Sequence, residues 1–77
     1  MASGCPDWVH DRLYDAGDKG CGEVLLELRN LFRSLPARTR VLVRTVDAGA
    51  PIEMPAWCRL TERRLVKSNH PYYLIEG

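Results

Sequence analysis

Three cysteines, Cys5, Cys21 and Cys58, are the residues of this 77-residue chain whose chemistry is most open to question. They differ in their surroundings. Cys5 precedes Pro6 in "GCPDW", and no amphipathic segment follows it. Cys21 stands in "GDKGCGEVLLELRNLF" (17–32), between two glycines and at the head of an apolar pattern of helical period. Cys58 shares a helical face with Met54 and Trp57, which predicts a small buried hydrophobe; the alternative is a resolving thiol for Cys21.

A thiol reacts as its thiolate. The first amides of a helix lack internal partners and carry partial positive charge, so a thiolate at Cys21 is expected to gain ~0.3–1 kcal/mol from the helix dipole. Gly20 is an acceptable N-cap, and Glu23 is spaced to complete a capping box. Lys19 adds positive charge nearby, while Asp18 and Glu23 subtract from it. Gly20 and Gly22 strip bulk from both sides of the sulfur and leave room for another macromolecule's reactive atom. The same position also suits a small core residue that happens to start a helix. His10 and His70 are distant from Cys21 in sequence, so a Cys–His hydrolase is not indicated. Neither C-x2-C nor H-x3-H spacing occurs, and no metal is expected.

Length allows one domain with a modest core. Composition, 45% hydrophobic and 27% charged, is that of a soluble globular protein. No apolar run approaches the roughly 20 residues of a membrane span. "MASGCPDW" lacks the basic start and apolar core of a signal peptide, which predicts a cytoplasmic protein, and an odd number of cysteines argues against structural disulfides. The net charge of +1 is unevenly spread: residues 1–28 carry six acidic and two basic side chains, residues 29–77 four and nine. The basic half is either a solvated face or a surface for an acidic partner. Few aromatic residues interleave with the arginines, so nucleic acid is not the expected partner.

Residues 1–10 read as an N-terminal tail and 11–77 as a single domain. "RLYDAG" (12–17) predicts a first strand ending in a glycine-rich turn. Val24, Leu25, Leu28, Leu31, Phe32 and Leu35 form one helical stripe, with Glu27, Arg29, Asn30 and Arg33 opposite and Pro36 closing the helix. "RVLVRTV" (40–46) is the second strand and "DAGAP" (47–51) a turn. A second helix is expected to begin near "EMPAWC", with Pro55 in its first turn. "RLVKS" (64–68) and "YYLI" (72–75) are the last strands, joined by "NHP". The order βαβαββ predicts an α+β two-layer sandwich: a mixed four-stranded sheet with two helices on one face and right-handed crossovers.

From Leu13 to Ile75 the chain resembles the TusA/SirA-like sulfur-carrier family of small bacterial proteins. Three stretches carry the resemblance. "LYDAGDKGCGEVLLELRNLFRSL" matches the family's first strand, Cys-Pro-x-Pro turn and first helix. "VLVRTVDAGAP" matches its second strand and the turn after it. "EMPAWCRLTERRLV" matches an acidic/apolar-Pro-x-aromatic-Cys stretch leading into the third strand. The resemblance implies the βαβαββ fold and a persulfide held on Cys21, with Gly20, Gly22, Glu23 and Lys19 around it. It implies no cofactor, a desulfurase or rhodanese-like protein as sulfur donor, and a protein acceptor in tRNA thiolation, cofactor synthesis or sulfur oxidation. Arg29 and Arg33 are the expected docking residues, and the chain is expected to be a monomer. The departure is Cys21-Gly22-Glu23-Val24, where both prolines of the motif are missing. Glycine gives up their rigidity, and Gly22 gains a backbone N–H. The alternative function is a regulatory or protein-interaction module that kept the fold without the chemistry.

Overall fold

The computed structural model describes residues 7–77, and its elements run β1 (Arg12–Gly17), α1 (Cys21–Arg33), β2 (Arg40–Thr45), α2 (Ala50–Leu60), β3 (Arg64–Asn69) and β4 (Tyr72–Glu76). Residues 7–10, from the expected tail, adopt no regular structure. The four strands form one mixed sheet in the order β1-β2-β4-β3. β1 lies parallel to β2, with Leu13 opposite Leu42 and Tyr14 opposite Val43. β4 runs antiparallel to both β2 and β3, so it fills the place between the strands that α2 connects.

Strand alternation sorts the two faces. Val41, Val43, Tyr73 and Ile75 point to one face and pack with Val24, Leu28 and Phe32 of α1 and Met54, Trp57 and Cys58 of α2. Both helices therefore cover the same side of the sheet, and the Phe32 and Trp57 rings meet at 6.3 Å between centroids. Arg63 lies over both rings, 4.9 Å from Phe32 and 5.3 Å from Trp57, at the end where both helices terminate. A guanidinium suits that place, because helix carboxyl ends carry partial negative charge and aromatic faces attract cations. The other sheet face carries the row Leu13, Leu42, Leu74 and Lys67, with the Lys67 ammonium 6.0 Å above the Trp8 ring. Arg40 and Arg64 flank this row and share the Glu76 carboxylate.

The second helix departs from the sequence expectation. It begins at Ala50, so Pro51 occupies the first turn and Pro55 lies inside the helix. Proline inside a helix leaves the carbonyl four residues earlier without its donor, here that of Pro51. Pro51 is exposed, and water can meet that carbonyl. The extra turn also places Glu53, rather than the loop, beside the start of α1. Cys58 and Trp57 are buried as the helical spacing predicts.

Leu28 is fully buried at the centre of the helix–sheet contact. Leu28→Ala is expected to lower unfolding free energy by about 2–5 kcal/mol, read by urea denaturation.

Candidate thiol site

A parallel pair of strands places the carboxyl ends of both at one edge of the sheet, and the helices that follow them begin there. Cys21, the first residue of α1, and Glu53, in the first turn of α2, share that edge. The Cys21 side chain is buried, with the residue 6% exposed. The Glu53 carboxylate lies near this thiol and, after burial, has the largest influence on its proton. Asp47 adds a second carboxylate: its Oδ2 accepts the Gly49 N–H at 3.0 Å and holds the entrance to α2. A Cβ placed on Gly49 would lie 3.1 Å from Asp47 Oδ2 and 3.4 Å from Glu53 Oε2, so the two side chains converge over this glycine. Tyr73 closes the inner side; it is buried, and its hydroxyl pairs with His70 Nδ1.

This arrangement reverses the expected electrostatics of the thiol. The dipole contribution amounts to less than about one pKa unit, since a unit is ~1.4 kcal/mol. Burial, and after it the Glu53 carboxylate, push the Cys21 thiol up from 9.0 to about 12. A thiolate there would lose hydration and face two carboxylates, so the proton stays on sulfur. Tyr73 is pushed up as well, by burial and then by the charge a Cys21 thiolate would carry. Cys58 rises from 9.0 to about 11 through burial in the core.

The other anticipated residues divide. Gly20 is the N-cap in extended geometry and makes no side-chain cap bond. The capping box does not form: Gly20 has no hydroxyl to offer the Glu23 N–H, and exposed Glu23 makes no cap bond. Lys19 does not serve the sulfur either, because its ammonium reaches along α1 to Glu27 at 2.9 Å. Glu27, expected on the solvent side, is half-buried and also accepts the Tyr14 hydroxyl. Gly20 and Gly22 have open space where a Cβ would stand. Arg29 and Arg33 are exposed, about 12 and 18 Å along the helix from Cys21 at 1.5 Å per residue. Cys5 lies outside the described residues.

Sequence reading missed Glu53, Asp47 and Tyr73. The signal for Glu53 was its place near the start of the second helix, once the βαβ topology puts both helix starts at one edge. Among the described residues, no cluster of His, Cys, Asp and Glu is arranged to hold a metal ion, and no helix is long and apolar enough to cross a membrane. A scan of protein-family models finds none that matches this chain, and a search of curated proteins finds no similar one.

Site-resolved alkylation is expected to find Cys21 slow to react at about pH 8, its rate still rising above pH 9. Glu53→Gln removes the negative charge that favours the neutral thiol, so the pKa falls and alkylation at about pH 8 speeds up. Gly22→Ala meets no atom and is expected to stabilise the chain by up to about 1 kcal/mol, measured by thermal or urea unfolding.

Proposed function

We propose that this protein is a sulfur carrier that holds a persulfide on Cys21 and relays the sulfur between protein partners. The observation supporting this reading is one thiol at the head of α1, at the carboxyl edge of the parallel strands, with the exposed carboxylate of Glu53 near enough to act on its proton. The TusA/SirA-like pattern of the sequence points the same way. Transfer starts with Cys21 Sγ attacking the outer sulfur of a donor persulfide, R–S–SH. A new Sγ–S bond forms, the donor's S–S bond breaks, and its electron pair leaves on the donor sulfur. Glu53 accepts the proton released from Cys21 and passes it to the departing thiolate. The products are R–SH and Cys21–S–SH, with no net oxidation and no cofactor. The donor is a desulfurase or rhodanese-like protein, and the acceptor repeats the attack on the loaded carrier. Arg29 and Arg33 form the outer part of the docking surface, for acidic patches on either partner.

One observation favours a second reading, a protein-interaction module without sulfur chemistry. The resting thiol is buried and pushed to about 12, unlike a cysteine tuned to be a thiolate near neutrality. In the carrier reading the same protonation keeps the unloaded thiol inert until a persulfide is presented.

Intact-mass analysis after incubation with a persulfide donor decides between them. The carrier reading expects one adduct of about 32 Da, absent in Cys21→Ser and slower to form in Glu53→Gln despite that variant's faster alkylation. No adduct with desulfurase, rhodanese-like or small-molecule donors leaves the module reading, in which Arg29→Ala and Arg33→Ala impair partner binding and Cys21→Ser does not.

A further inference from the structure

The turn that presents Cys21 is built from residues that give little rigidity of their own. Gly17 adopts φ +61°, a left-handed conformation that favours glycine, and the Lys19 N–H closes the turn on the Ala16 carbonyl at 3.2 Å. Gly20 and Gly22 flank the thiol, and no proline stiffens Cys21-Gly22-Glu23-Val24.

We propose that Lys19, Glu27 and Tyr14 form a clamp that positions this turn, a role that rests on Cys21 being the working thiol. The Lys19 ammonium contacts both Glu27 carboxylate oxygens, at 2.9 and 3.2 Å. The Tyr14 hydroxyl donates to Glu27 Oε1, and the Lys19 ammonium sits 5.9 Å from the centre of the Tyr14 ring. Three successive pieces of chain, β1 through Tyr14, the turn through Lys19 and α1 through Glu27, are therefore tied at one carboxylate. A single half-exposed Lys–Glu pair does little to order a loop. Here the carboxylate is also anchored by Tyr14, whose ring packs against the core. The anchoring is mutual: Tyr14 is pushed up by burial and by Glu27, and Glu27 is held below the usual carboxylate range by Tyr14 and then Lys19.

The clamp also determines where the charge of Lys19 goes. Two residues before Cys21, this cation would otherwise lie near the sulfur and lower its pKa. Drawn along the helix to Glu27, it leaves the thiol facing Glu53 and Asp47. Lys19, Glu27 and Tyr14 are positioning residues: they hold the turn and never touch the sulfur.

Glu27→Gln, Lys19→Met and the exchanged pair Lys19→Glu/Glu27→Lys test the assignment. The readouts are amide hydrogen exchange over residues 18–22, site-resolved alkylation of Cys21 and Cys58, and sulfur loading from a persulfide donor. Glu27→Gln is expected to speed exchange several-fold at the Lys19 amide, which bonds the Ala16 carbonyl, speed alkylation of Cys21 but not Cys58, and slow loading. The exchanged pair restores protection of the residue 19 amide. Salt loosens the wild-type turn and has little further effect on Glu27→Gln. Should Glu27→Gln not fold, Lys19→Met carries the same readouts while keeping the Tyr14–Glu27 bond. The clamp is overturned when exchange over 18–22 and Cys21 alkylation match wild type in these variants, or when Cys58 changes as much as Cys21. Absence of loading in the wild type removes the carrier reading, and the exchange data judge the clamp independently.

Discussion

Parallel pairing of β1 with β2 obliges the chain to travel back along the sheet between them, and α1 is that return. Everything about the thiol follows from this path. A helix that returns from the carboxyl end of one strand must start at that end, so Cys21 stands there. β2 ends at the same edge, and α2 starts from it with Glu53 in its first turn. β4 enters antiparallel and begins its course at that edge too, contributing Tyr73 from the inner face. Glu53 of α2, Asp47 of the loop before it and Tyr73 of β4 thus converge on one sulfur, none of them near it in the chain.

The electrostatics of that edge set the character of the site. Helix starts favour anions, and here two helix starts are side by side. Anionic side chains have already taken the places: Asp47 holds the entrance to α2 and Glu53 reaches the thiol. A buried thiol beside a carboxylate is a hydrogen-bond donor, not a second anion. The helix dipole is too weak to change that order, because its contribution is smaller than the cost of placing another negative charge in a poorly hydrated pocket. The nearest cation in sequence, Lys19, is engaged by Glu27 instead. The result is a cysteine that keeps its proton beside two carboxylates.

Much of the architecture was legible in the residues themselves. The stripe from Val24 to Phe32 records which side of α1 meets the sheet, and alternation in "RVLVRTV" places Val41 and Val43 under it. Periodicity is a local property, and burial of one face enforces it. Pro55 misled, since proline at a helix start and proline one turn inside look alike in sequence. Pro51 holds the start of the helix, and the exposure of its carbonyl makes the second proline tolerable.

Sequence by itself determined the elements, the two layers and the place of Cys21 at the head of a helix, because these depend on patterns within about a dozen residues. Only the tertiary structure decided what the sulfur faces. Glu53 is 32 positions from Cys21 and Lys19 only two, yet the carboxylate reaches the thiol and the ammonium does not. Charge acts through space over a few ångströms, and the sheet order and the reach of each side chain choose which charges come that close.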